Sequence, residues 1–434
     1  MKQAVAISKD SLETLQWFIF LLASSVALPI VIGSLFDMDF NQLAGLMQRT
    51  FFVVGIASLL QSVIGHRLPI MEGPAGLWIS IFSVMAVTGS QQGLSSMETL
   101  QTIETAMLFT GIFLLLFGVF KFAEKLLPLF TPLATGSFLF LLTVQLSGTF
   151  LEGMLGIQQK VEAIHGTEAL LAFLTFFIVL GLSLFAKGWL GSYAVLIGIG
   201  IGWISYVLLV GPGAADKEAV SLFALPEVFS WGPPRLDWGV LPISFITAVI
   251  LLSNIVASVV AASQSISGKA SYSARQINRG SSMLGINHGA AGLFSAIANV
   301  PLATSAGFIK MTGQKRRKPF VYASILLIFI SLFPPVVALL SAIPAPIANA
   351  AILATFVQLM GLGLSNIASE KLDNRRLTII AVSFLFGIGI MFLPLEVFEE
   401  LPALAQNLAS NGLLVGTVLV IVMEQLWKDK ENGA

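Results

Sequence analysis

Long apolar runs separated by short polar breaks fill this chain from end to end. A helix needs about 20 apolar residues to cross a bilayer, and runs of that kind fall near 14–35, 42–64, 68–88, 103–120, 126–149, 167–186 and 190–211. A second set falls near 239–265, 283–298, 300–312, 319–342, 345–364, 377–396 and 400–427. The pattern predicts an all-α polytopic membrane protein with fourteen transmembrane segments. The longest hydrophilic break, about 212–238, is rich in Pro, Gly and acidic residues and leaves seven segments on either side. An odd number per half requires the halves to have opposite topology. Fourteen spans therefore predict two inverted 7-span repeats.

Two runs are interrupted at matching places. Leu68-Pro69-Ile70-Met71-Glu72-Gly73-Pro74-Ala75-Gly76 opens the third segment, and Asn299-Val300-Pro301-Leu302-Ala303-Thr304-Ser305-Ala306-Gly307 opens the tenth. Backbone groups freed by Pro and Gly at membrane depth survive only where they line a protein cavity. A pair of such interruptions in corresponding positions of two repeats is the sequence mark of a transporter's substrate site.

The Lys/Arg distribution tests the layout independently, because positively charged loops stay cytoplasmic. With the N-terminus inside, 18 of the 23 basic residues fall on the cytoplasmic side, Lys160, Lys217 and Arg235 fall outside, and Arg49 and Lys310 lie at or inside spans. Both termini are therefore expected in the cytoplasm. Composition agrees: 56% of residues are hydrophobic and 11% charged, against about 25% charged in a soluble domain. A net charge of zero gives no reason to expect nucleic acid as a partner, and the absence of Cys excludes disulfides and thiolate metal sites. The run that follows polar Met1 to Glu13 is long enough to span rather than be cleaved.

Several local patterns together resemble one family. Gly292-Leu293-Phe294, Asn299, and Thr304 through Gly313 resemble the signature region of the nucleobase/ascorbate transporters (nucleobase:cation symporter-2), which include uracil and xanthine permeases; Gly307, Thr312 and Gly313 fall into its register. Gln16 with Pro29, Leu68-Pro69 through Gly73, Gly285, and Ile343-Pro344-Ala345-Pro346 extend the match along the chain. The resemblance implies a core domain of spans 1–4 and 8–11 and a gate domain of spans 5–7 and 12–14. Here these are 14–120 with 239–342, and 126–211 with 345–427. It also implies that spans 3 and 10 each start as a short strand and continue as a half-helix, and that the protein is a homodimer through its gate domain. Two half-helix N-termini facing one cavity would offer N–H groups to carbonyl oxygens or anionic groups.

Three polar positions depart from the family pattern. Thr304 and Ser305 stand where the signature has Gln or Glu and then Asn, Asn254 aligns with the eighth-span glutamate, and Trp17 occupies the first-span histidine position. A buried ligand group left unpaired costs about 1–3 kcal/mol, so uracil or xanthine specificity does not carry over.

The candidate substrate-binding residues are Trp17, Glu72, Gly73, Ala75, Trp78, Asn254, Thr304 and Ser305. Glu72 is the expected proton-coupling group, since a carboxylate at membrane depth marks function; the alternative is that it caps the half-helix or pairs with Lys310. Asn254 can bond substrate or tie two helices together. Trp17 and Trp78 can stack on a planar ligand or simply pack. Gln145 can line the gate or join helices. His66, His165 and His288 lack metal-ligand spacing and read as loop or capping residues, and Asp37 and Asp39 as a solvated external loop. Lys315-Arg316-Arg317-Lys318 reads as a topology determinant able to touch anionic lipid.

The expected function is secondary active transport, in the cell membrane, of a nucleobase-like small molecule, a purine or related planar heterocycle. Proton symport is the expected coupling, with sodium the next candidate ion, and no cofactor or metal is expected. An anion transporter of the same architecture is the alternative. A membrane enzyme is more remote, because no paired carboxylates, metal cluster or nucleophile with its base is visible.

Overall fold

The computed structural model describes residues 2–74, 76–129, 131–157, 164–187, 189–211, 221–269, 272–398, 401 and 409–427. In its first half α1 (Lys2–Leu35) and α2 (Phe40–Val63) lead into a strand β1 (Glu72–Pro74) and α3 (Gly76–Gln91). There follow α4 (Ser96–Val119), α5 (Phe122–Leu126), α6 (Pro132–Leu155), α7 (Gly166–Phe185), α8 (Trp189–Ser192) and α9 (Ala194–Leu209). The second half runs α10 (Leu241–Ser267), α11 (Ala274–Leu293), strand β2 (Asn299–Pro301), α12 (Thr304–Thr312), α13 (Arg317–Ser331) and α14 (Pro334–Ser341). It closes with α15 (Ala345–Ile367), α16 (Asn374–Met391) and α17 (Gly412–Leu426).

Local sequence sets the helix ends. Asp39 with Gln42, Ser95 with Glu98, and Ser273 with Gln276 form reciprocal capping boxes at α2, α4 and α11. Asn411 caps α17 through the Leu414 N–H, and left-handed Gly156, Gly268 and Gly313 end α6, α10 and α12.

Among the described residues eight helices are long and apolar enough to cross a bilayer. The remaining predicted spans differ from a uniform crossing for visible reasons. The predicted eleventh span bends by 90° between α13 and α14, where Pro334 and Pro335 follow the break. The ninth, α11, carries Arg275, Asn278, Arg279, Asn287 and His288. Helices α3, α9 and α17 are apolar but shorter. The predicted last span falls partly outside the described residues, and Ser410 sits in the turn before α17 rather than within a span.

Glycines bring the helices together. A Cβ on Gly111 of α4 would lie 2.8 Å from the Gly285 carbonyl of α11, and one on Gly285 would lie 2.5 Å from that of Gly111. Gly55 of α2 meets the Ser324 carbonyl and Ile328 nitrogen of α13 in the same way, as do Gly136 of α6 and Gly363 of α15. Small residues at such crossings let backbones approach where lipid supplies no hydrophobic drive.

Part of the hydrophilic break is stitched down rather than free in solvent. Gln48 donates to Ala224 O, Gln101 to Trp231 O and Thr105 to Arg235 O. Arg49, expected at a span, is buried and donates to Ser295 O, while the Ser295 hydroxyl bonds the Glu104 carboxylate. The basic run is also occupied: Arg316 pairs with Asp10 at 2.6 Å and Glu13 at 2.9 Å, and Lys318 lies 3.6 Å from Asp10. These pairs tie the Asp10–Glu13 turn of α1 to the segment between α12 and α13 and to the start of α13.

Candidate functional site

The two interrupted stretches meet. β1 and β2 pair antiparallel with Glu72 opposite Pro301, Gly73 opposite Val300 and Pro74 opposite Asn299. Proline and glycine prevent either segment from continuing as helix, and each strand satisfies the other's backbone at a depth where water is scarce. The Leu302 N–H donates to Met71 O at 2.8 Å, and the Met71 N–H donates to the Ser305 hydroxyl at 3.0 Å. Ser58 of α2 accepts the Glu72 N–H at 3.0 Å. Ser258 of α10 donates to Pro301 O at 2.8 Å and stands 3.2 Å from Asn254 Oδ1. Short hydroxyl side chains therefore hold the crossing from both neighbouring helices.

Glu72 is wholly enclosed, and neither carboxylate oxygen accepts a hydrogen bond from the described protein. It does not cap α3, nor does it meet Lys310, which is exposed in the last turn of α12. Its neighbour is His66, whose Nε2 lies 3.5 Å from Glu72 Oε1 with both side chains fully buried. His66 is therefore not a solvated loop residue. The turn after α2 folds inward, with the backbone of Arg67 left-handed at φ 63°, and carries the imidazole under β1.

His288 is likewise buried rather than a loop residue. Its Nε2 accepts the Trp78 indole N–H at 3.1 Å and its Nδ1 faces Leu284 O at 2.9 Å. Trp78 thus starts α3 with its polar edge engaged. Trp17 is fully enclosed by rings, with Phe308 centred 4.4 Å away and Phe320 4.9 Å away. His165 is exposed at the start of α7.

Thr304 and Ser305 are neighbours with opposite fates. Ser305 is buried in the crossing, whereas Thr304 is exposed on α12 and shares a face with exposed Gly307 and Lys310 at three-residue spacing. Asn254 is half-buried, Gly73 is enclosed against Leu302, and Ala75 lies outside the described residues. Gln145 of α6 donates to Ser80 of α3 at 2.7 Å and accepts the Leu413 N–H of α17 at 3.1 Å. It joins three helices.

The Trp78–His288 bond had no signal in sequence spacing, because 210 positions separate the two residues; His66 and Glu72 are only six apart, and their pairing depends on the inward fold of the turn between them. A surface cleft of about 520 Å³ lies on the flank of α1 and α13, lined by Asp10, Thr14, Lys318 and Tyr322. It is remote from the crossing and is mostly open, so the chemistry points to the crossing instead. Among the described residues no group of three or more His, Asp or Glu is placed to hold a metal ion.

The profile of a permease family, the xanthine/uracil permeases, matches residues 8–396. The chain belongs to that family. It is 34% identical to the putative purine permease YwdJ of Bacillus subtilis, over 97% of each chain. It is 27% identical to the uric acid permease PucJ of the same organism, over 96% of this chain and 93% of that one. Among solved structures it resembles the transmembrane domain of the cyanobacterial bicarbonate transporter BicA, with a TM-score of 0.62 at 14% identity over 94% and 97% of the two chains. Murine Slc26a9, an anion transporter solved in its inward-facing state, gives a TM-score of 0.61 at 12% identity over 96% of this chain and 67% of that one. The last two likenesses concern the fold alone. This xanthine/uracil permease family member is a multi-pass membrane transporter and not an enzyme.

Proposed function

We propose that this permease moves a purine, of the uric acid or xanthine kind, together with a proton by alternating access. The observation that carries the reading is the antiparallel crossing of β1 and β2, each strand leading into a helix, with a buried carboxylate on one side and an exposed hydroxyl on the other. The relatives' names supply the purine class. An anion carrier of the same fold is the alternative, and the relatives' names favour the purine.

Fourteen spans in two inverted repeats remain the best account of the architecture. Exchanging the halves turns the β1–β2 pair into itself and maps the α4–α11 crossing, spans 4 and 9, onto the α2–α13 crossing, spans 11 and 2; both are glycine-mediated. On this reading the core (14–120 and 239–342) moves against the gate (126–211 and 345–427), both termini are cytoplasmic, and the protein sits in the cell membrane as a homodimer. Thr304, Asn254 and the first turn of α3, with Trp78, face substrate. Ser305, Gly73 and Trp17 shape the crossing from behind.

Glu72 carries the coupling proton. An ionised carboxylate buried without donors is costly, so loading with a proton and releasing it on the other side alternates two states of different charge. Binding should be tested with the purified protein by thermal shift against purines, pyrimidines, urate and inorganic anions, since a ligand for the native state raises its melting temperature. Glu72→Gln keeps the size of the protonated form. It should preserve purine binding and exchange while abolishing uphill, pH-driven uptake. Unchanged accumulation in this variant would dismiss Glu72 as the coupling group and turn attention to sodium.

A further inference from the structure

Two buried histidines flank the crossing, and their hydrogen bonds fix opposite tautomers. At His288, Nε2 accepts from the Trp78 indole, a group that can only donate, so the ring proton sits on Nδ1 and is given to Leu284 O. At His66 the order is reversed: Nδ1 accepts the Leu68 backbone N–H at 3.1 Å, so the ring proton sits on Nε2, the atom 3.5 Å from Glu72 Oε1. The His66 backbone is itself held, its N–H facing Gln61 Oε1 and its carbonyl accepting from Gln276 of α11. Gly280 lets α11 pass close to the turn, where a Cβ would reach the His66 Cβ at 3.7 Å. The turn therefore holds the Nε2–H edge 3.5 Å from the carboxylate, longer than a hydrogen bond, where it acts on the carboxylate as a nearby dipole.

We infer that His66 is a positioning residue for Glu72: a neutral imidazole locked with its proton on Nε2, which stabilises the ionised carboxylate and sets the pH at which this permease takes up its coupling proton. The inference rests on the coupling role given to Glu72 above. Because Nδ1 is already occupied by the Leu68 N–H, His66 acts as a fixed donor and does not ferry the proton itself. Among the described residues, the elements packed against the turn bring no other acidic side chain beside Glu72. α10 has no charged residue, and β2 has none. α2 brings only Arg49, bound to Ser295 near its other end. The described acidic groups of α1, Asp10 and Glu13, are engaged with Arg316. The cations on the elements packed around the turn are Arg67 itself, Arg275 and Arg279 of α11, Lys310 of α12, and Arg317, which donates to Ser62 O. These favour a negative Glu72 from a distance, while the His66 Nε2–H edge stands 3.5 Å from Oε1, close enough to form the bond when the carboxylate ionises.

Side-chain amides separate the two ring nitrogens. Glutamine places its amide nitrogen near the Nε2 position, whereas asparagine places its oxygen near Nδ1 and reaches no farther. His66→Gln should therefore keep the donor to Glu72 and retain the wild-type pH profile of radiolabelled xanthine uptake in proteoliposomes. His66→Asn should keep the Leu68 contact and the fold but lose the donor. Its uptake profile should move to higher pH by up to about one unit, the value reached if the 3.5 Å approach closes to a hydrogen bond on ionisation of Glu72, with half-saturation by xanthine little changed. Superimposable profiles for His66→Asn and wild type would overturn the inference. Nitrogen NMR of wild-type protein labelled in its histidine rings gives an answer that does not depend on variant folding: His66 should show the Nε2–H tautomer and His288 the Nδ1–H tautomer. An Nδ1–H signal for His66 would also overturn it. The coupling role fails separately: if Glu72→Gln keeps its pH-dependent accumulation while His66 shows the Nε2–H tautomer, the lock stands and Glu72 is not the carrier.

Discussion

β1 and β2 lie side by side, yet the helices that follow them meet different surroundings. The first break is polar and closed. Glu72 and His66 are sealed under it, the Trp78 indole is bonded to His288, and Gln145 ties α3 to α6 and α17. The second break carries no charge until Lys310, and its first turn opens one face, Thr304, Gly307 and Lys310, while the other packs Phe308 against Trp17. The two breaks share a strand-then-helix backbone, and their side chains then differ: one encloses a carboxylate and the other opens a face. Symmetry of the chain trace thus says little about symmetry of chemistry.

Adjacent residues on α12 allow the sharpest break of this comparison. Ser305 is enclosed and holds the Met71 N–H, so Ser305→Leu both overfills the crossing and orphans a buried donor. The combined cost should be roughly 2–5 kcal/mol, seen as a large fall in melting temperature in detergent. Ser305→Ala removes only the acceptor and should cost about 1–3 kcal/mol. A melting curve for Ser305→Leu that overlays wild type would show that β1 and α12 are not joined through this hydroxyl.

Thr304 should behave in the opposite way. Exposed on the open face of α12, it has no buried bond to lose, so Thr304→Ala should leave the melting temperature unchanged. Xanthine or urate affinity should fall by roughly 2–12-fold, the equivalent of one neutral hydrogen bond. A loss of stability with unaltered binding would exchange the roles assigned to these two residues.

How much of this was legible in the sequence depends on whether the signal was local. Pro69, Pro74 and Pro301 announce broken spans because a proline denies the helix a donor wherever it stands. Both strands accordingly lie where the interruptions were placed. Glu72 was conspicuous as an acid within an apolar run. Its partner was not, since His66 sits in a polar turn whose inward fold depends on a left-handed Arg67 and on packing against Gly280, more than two hundred residues away. Trp17 and Trp78 look alike as aromatics in apolar runs, and only the fold separates an indole that donates from one enclosed by Phe308 and Phe320. Arg316 looked free to meet lipid for the same reason: its acids, Asp10 and Glu13, are about three hundred positions away in sequence.

The smallest expected effect on transport concerns how the two breaks are tied to their surroundings. α3 is joined to α6 and α17 through Gln145, whose amide donates to Ser80 and whose carbonyl accepts the Leu413 N–H. α12 has a looser tie: Phe308 faces Tyr193 with ring centres 6.3 Å apart. If core and gate slide during transport, the Gln145–Ser80 bond must break in each cycle, and it contributes to the barrier only what a neutral hydrogen bond does, about 0.5–1.5 kcal/mol. Gln145→Leu keeps the volume near α3 and removes that bond. It should raise the rate of xanthine exchange by a few-fold while leaving half-saturation nearly unchanged, with a fall in melting temperature like that of Ser305→Ala from the unpaired Leu413 N–H. A slower exchange, or an affinity loss as large as that of Thr304→Ala, would place Gln145 in the substrate site rather than at the sliding contact.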